Sequence, residues 1–184
     1  AAVLARVADV HVGADNAVQL KSPLRYEVGD SEVVIKGGLT ADRVDATVDG
    51  TVALAILKLF PEAISNASGT ALVHLKFNGP YRPLPRVQGE IVPAAGAVLS
   101  PRGLGQRVQF SSGRLVFSGR KDDPLKQRVE AEARTVALAD GAASVNGNVL
   151  VQLPQETGDP VRIARWDVQA SGVGIRVRRA GSSV

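Results

Sequence analysis

Glu130 and Glu132 stand two residues apart in Arg128-Val129-Glu130-Ala131-Glu132-Ala133-Arg134. On a strand this spacing places both carboxylates on one face, roughly 7 Å from each other, a separation at which an inverting glycosidase holds its acid and base. Arg128 and Arg134 fall on the same face, however, and make the stretch an alternating-charge surface that water solvates. Asp45 and Asp49 also share a face, but four strand residues separate them by about 13 Å, too far to share a proton or a metal. His11 and His74 are the only histidines, and cysteine is absent. A zinc site would therefore lack a convergent donor set. The expectation is a chain with no catalytic residues, no metal and no cofactor.

The remaining motifs are weak. Gly103-Leu104-Gly105 opens like a dinucleotide-binding loop, but the third glycine and a following helix are missing. Asn66-Ala67-Ser68 has the pattern of a glycosylation acceptor and reads better as turn chemistry. Trp166, the single tryptophan, reads as a cross-strand packing residue. Arg176, Arg178 and Arg179 alternate with Val173, Ile175 and Val177. They suit lipid phosphate and the solubility of an edge strand equally well.

The elements that must carry these residues follow from how the apolar content is spent. Of the 184 residues 45% are hydrophobic, yet only 4% are aromatic and methionine is absent. The apolar surface is thus aliphatic and shallow, without the aromatic volume that usually closes a thick core. A net charge of +4, from 22 Lys and Arg against 18 Asp and Glu, describes a mixed surface, so nucleic acid is not an expected partner. The longest apolar run, Val52 to Phe60, is interrupted by Lys58 and is too short to cross a bilayer. Residues 1–184 are expected to form one architectural unit within a longer chain.

Val44, Ala46 and Val48 alternate with Asp45, Thr47 and Asp49, the period of a strand with one dry face. The alternation returns at Ala71, Val73, Leu75 and Phe77, at Leu115 and Phe117, at Val129, Ala131 and Ala133, and at Val145, Val149, Val151 and Leu153. Turn signals separate these runs: Gly29-Asp30, Gly37-Gly38, Asn78-Gly79-Pro80, Asp122-Asp123-Pro124, Asp140-Gly141 and Gly158-Asp159-Pro160. Leu57, Phe60 and Ile64 recur at helical spacing and predict one short helix over 54–64, bent or ended by Pro61. Gly69, Gly89, Gly113 and Gly147 lie in or beside strand patterns, where they permit bulges and sharp coiling. The predicted fold is all-β: an elongated, strongly curved antiparallel sheet with that short helix.

The passage Ala67-Ser68-Gly69-Thr70-Ala71 through Phe77-Asn78-Gly79, followed by Pro85-Arg86-Val87-Gln88-Gly89-Glu90-Ile91, resembles a recurring phrase of the TamB family. The phrase is a glycine, an alternating strand, a glycine turn, and then Pro-x-apolar-x-Gly-x-apolar. The same rhythm persists over roughly Val33 to Leu153. The resemblance implies a Gram-negative periplasmic protein, tethered to the inner membrane by a segment outside this chain. Its sheet would curl into a β-taco whose aliphatic groove carries phospholipid towards the outer membrane. Expected partners are phospholipid, neighbouring segments of the same chain, and an outer-membrane assembly protein of the TamA or BamA type.

The family offers no catalytic residues to carry over. What it implies is groove lining at the apolar-phase positions Val44, Ala46, Val48, Val73, Leu75, Phe77, Val87, Ile91, Leu115, Phe117, Val129, Ala131, Ala133, Val145, Val149 and Val151. Leu72, Val116 and Leu150 depart from the pattern by falling on the polar phase. Two other readings stand beside it: a scaffold that binds strands of outer-membrane proteins by edge pairing, and a plain β-sandwich surface module, which the scarce aromatics disfavour.

Overall fold

The structure is a computed structural model that describes residues 4–6, 9–13, 17–59, 64–80, 85–102, 107–119, 126–137, 141–153, 156 and 162–173. The alternating stretches form fourteen strands: β1 (Leu4–Arg6), β2 (Val10–Val12), β3 (Val18–Leu20), β4 (Leu24–Val28), β5 (Ser31–Leu39), β6 (Arg43–Ala53), β7 (Ile64–Ser68), β8 (Thr70–Pro80), β9 (Arg86–Pro93), β10 (Val98–Pro101), β11 (Val108–Gly119), β12 (Lys126–Ala137), β13 (Gly141–Gln152) and β14 (Arg162–Val173). All belong to one antiparallel sheet, whose main path runs β1-β4-β5-β6-β8-β9-β11-β12-β13-β14. Beside this path, β2 pairs with β3 and β3 with β5, while β7 pairs with β10 and β10 with the start of β11. No second sheet packs against it among the described residues, so the sandwich reading falls away.

Local chemistry sets the turns and bends. Gly29 adopts φ 56° in the two-residue turn between β4 and β5. Between β5 and β6 the Thr40 hydroxyl accepts the Arg43 N–H at 3.1 Å and donates to the Asp42 carboxylate at 2.9 Å, which closes the turn without a glycine. Gly37-Gly38, expected as a turn, instead lies inside β5, because Gly37 at φ 115° lets the strand bend without ending. A Cβ at Gly37 would lie 2.1 Å from the Asp45 carbonyl oxygen, and one at Gly89 (φ 121°) 2.0 Å from that of His74. Both positions put the backbones of neighbouring strands too close for any side chain.

The expected helix is shorter and tighter than its sequence period suggests. It is a 3₁₀ helix over Leu54–Leu59, and Ile64 belongs to β7. A period of three places Leu54 and Leu57 on the inner side and leaves Ala55 and Ile56 exposed. Phe60 and Pro61 lie outside the described residues. So do Asp122-Asp123-Pro124, Asp140, Gly158-Asp159-Pro160 and the arginines at 176, 178 and 179.

Burial is meagre. The accessible surface is 12369 Å², against about 8,400 Å² for a compact protein of this mass. Among the described residues a core cluster gathers Leu54, Ala67, Ala71 and Ala97, with Leu57, Ile64, Ile91, Leu99 and Phe110 packed around it. It forms where β7, β10 and the 3₁₀ helix fold over the sheet. Gly69, at φ 90°, makes the bend between β7 and β8; its carbonyl accepts the Leu54 N–H at 2.9 Å, and a Cβ there would lie 2.9 Å from the Ala97 Cα.

Candidate functional site

Directly opposed residues on neighbouring strands point to the same face, so the register decides which side chains share a surface. One row can be followed pair by pair across nine strands: Leu24, Ile35, Val48, Leu75, Gly89, Phe117, Val129, Val149 and Trp166. The row beside it reads Tyr26, Val33, Gly50, Val73, Ile91, Leu115, Ala131, Gly147 and Val168. Neither contains a charged or amide side chain. At about 4.8 Å per strand step, each spans about 38 Å.

The structure brings all sixteen expected residues onto this face. Ala46 opposes Phe77, which opposes Val87; Val44 opposes Gly79; Ala133 opposes Val145; and Val151 lies beyond Gln127 in the same phase. Val73 alone among them is buried, at 7% exposure, and the other fifteen are half-buried. Among the described residues the surface is therefore a continuous aliphatic strip without a covering layer, except where the β7, β10 and 3₁₀ unit lies over Ala71, Ile91 and Phe110.

A single amide interrupts the strip. Gln127 is 5% exposed, and its side chain reaches over Gly119, the residue opposite it on β11, to the main chain of β9. There Oε1 accepts the Val87 N–H at 3.4 Å and Nε2 donates to the Val87 carbonyl at 2.8 Å. β11 pairs with β9 only from Gly89 to Ile91, so the amide supplies the hydrogen bonds that a longer β11–β9 ladder would make. Its polar groups are satisfied, and the apolar strip carries no open hydrogen-bonding group at this point.

The opposite face holds the polar phase. Arg128 Nε lies 3.0 Å from Glu130, and Arg114 Nε lies 2.6 Å from Glu90. Lys76 approaches Asp45 at 4.0 Å, Arg25 approaches Glu32 at 3.6 Å, and His74 contacts Asp49 across the strand pair. Glu130 thus lies beside Arg128 on the exposed polar face, where the sequence places both. Among the described residues no three or more His, Cys, Asp or Glu side chains converge as they would around a metal ion. Leu72, Val116 and Leu150 do lie on this polar side, opposite or beside Thr51, Glu130 and Arg128, and Leu72 is 57% exposed.

Sequence reasoning missed the two ends of the strip. Val33 and Ile35 belong to it, but Val34 between them hides the alternation. In β14 the bulge at Ala164 switches the parity, so Ile163 shares a face with Trp166 and Val168 although no fixed period links them. Trp166 packs across from Val149 as expected, yet remains 68% exposed. No family model, curated protein or solved structure matches the chain. The TamB resemblance rests on the residues quoted above alone.

Proposed function

We propose that the chain is a segment of a periplasmic lipid conduit that carries phospholipid acyl chains along its aliphatic face between the inner and outer membranes. In this reading a segment outside residues 1–184 tethers it to the inner membrane. Neighbouring segments of the same chain and an outer-membrane assembly protein are its partners. The observation that carries the reading is the apolar row from Leu24 to Trp166, half-buried as far as Val149 and exposed at Trp166, with no second sheet over it among the described residues.

The physics suits a tail better than a fixed ligand. Exposing a lipid tail to water costs about 0.8 kcal/mol per methylene, so a sixteen-carbon chain meets a barrier of about 12 kcal/mol when it crosses an aqueous gap. An aliphatic strip removes most of that barrier. Burial on such a strip is non-directional and scales with area, so successive Val, Leu and Ala positions hold a tail with similar energies and let it slide. The charged head group stays in water at the open side.

Native mass spectrometry with lipid extraction, on protein purified from bacterial membranes in mild detergent, tests the reading. Phospholipid is expected to co-purify, to be lost in Leu75→Asp and Val149→Arg, and to persist in Leu72→Asp. Leu72 is an equally apolar side chain on the other face, so it controls for a general loss of hydrophobicity. Lipid-free protein, or equal loss from both faces, contradicts the proposal.

A further inference from the structure

The two ends of the sheet are unlike. At one end lie β1 and β2, three residues each; at the other, β14 runs for twelve residues, paired with β13 from Ala142 to Gln152. Among the described residues no strand pairs with the outer side of β14, and every one of its side chains is exposed. A long edge of this kind offers a row of main-chain donors and acceptors to another strand.

The charges on β14 favour a particular partner. On the polar face Asp167 stands across Asn148 from Glu130, and Arg165 stands across Leu150 from Arg128. Along the sheet each therefore meets a like charge as its next charged neighbour. Among the described residues neither has an ion-pair partner. The two charges are opposite in sign and flank Trp166 symmetrically.

We propose that β14 pairs antiparallel with β14 of a second copy about a two-fold axis through Trp166 and perpendicular to the sheet. Arg165 then opposes Asp167 of the second copy, and Asp167 opposes its Arg165, so each charge gains one opposite charge and the contact holds two such pairs. The bulge at Ala164 keeps the outer pairs in phase: Ile163 meets Val168 on the apolar face and Arg162 meets Gln169 on the polar face. The two Trp166 side chains meet at the axis, where offset packing is favourable. Such a contact is isologous and closed, which caps the edge without building a fibre. It also makes one apolar strip of two. This inference does not depend on lipid binding, because it rests on the edge and its charges.

Sedimentation velocity of the 184-residue chain over a concentration series tests it. The chain is expected to dimerise, more weakly as salt is raised. R165D alone and D167R alone each bring like charges into opposition at two symmetric positions and are expected to raise the dissociation constant about tenfold. The double swap R165D/D167R restores opposite charges and is expected to return it close to the original value. A wild-type chain that stays monomeric overturns the proposal. So does a dimer indifferent to the single changes, or a double swap no better than either single change.

Discussion

At the scale of single residues, the apolar phase was legible and the amide within it was not. Val44, Ala46 and Val48, or Val129, Ala131 and Ala133, declare their face by simple alternation with charged neighbours. Gln127 occupies the same phase and would be assigned to water by its type. Its role depends on β11 ending opposite it at a glycine, which no local pattern reveals. Removing the amide leaves the Val87 N–H and carbonyl without partners under a half-buried surface. Gln127→Ala is therefore expected to lower stability by about 1–3 kcal/mol in urea or guanidinium titrations. Gln88→Ala, an exposed neighbour on the polar face, is expected to change it by about 0.5 kcal/mol or less. Equal effects from the two would contradict the bridging role of Gln127.

At the scale of elements, strands were readable wherever the period of two ran undisturbed, and misread where the backbone departs from it. Gly37-Gly38 has the composition of a turn but serves as a bend within β5, since a glycine at positive φ can redirect a strand without ending its ladder. The segment after β6 has leucines at spacings that fit three or nearly four residues per turn. Packing of Leu54 and Leu57 into the small core selects the tighter helix. In β14 the bulge at Ala164 scrambles the period, so its apolar members could be found only from the register. Gly89 shows how firmly such backbone is specified. Gly89→Ala forces a Cβ to within 2.0 Å of the His74 carbonyl at a φ that side chains avoid, and is expected to cost at least about 2 kcal/mol. Thermal unfolding measures this; a loss near that of Gly29→Ala, where nothing lies within 4 Å, would contradict the close strand approach.

At the scale of the whole molecule, an open sheet with a surface far above that of a compact protein stands in place of a closed core. Composition is in keeping with this outcome: aliphatic residues cover a face, and few aromatic side chains are present to add the bulk that helps close a thick core. Stability must then come largely from strand-to-strand hydrogen bonds and cross-strand pairs, with the core under the β7 and β10 unit as an anchored region. A bare aliphatic face of this extent is an aggregation hazard in water, and an occupying lipid tail would relieve it. The most direct test of the lipid reading is photo-crosslinking from single benzoylphenylalanine substitutions at neighbouring positions on three strands in bacterial membranes. Lipid adducts are predicted at Val48, Leu75 and Val149, on the apolar row, and not at the adjacent Thr47, Lys76 and Asn148. Adducts that ignore this two-residue alternation, or their absence from the apolar row, would contradict the account.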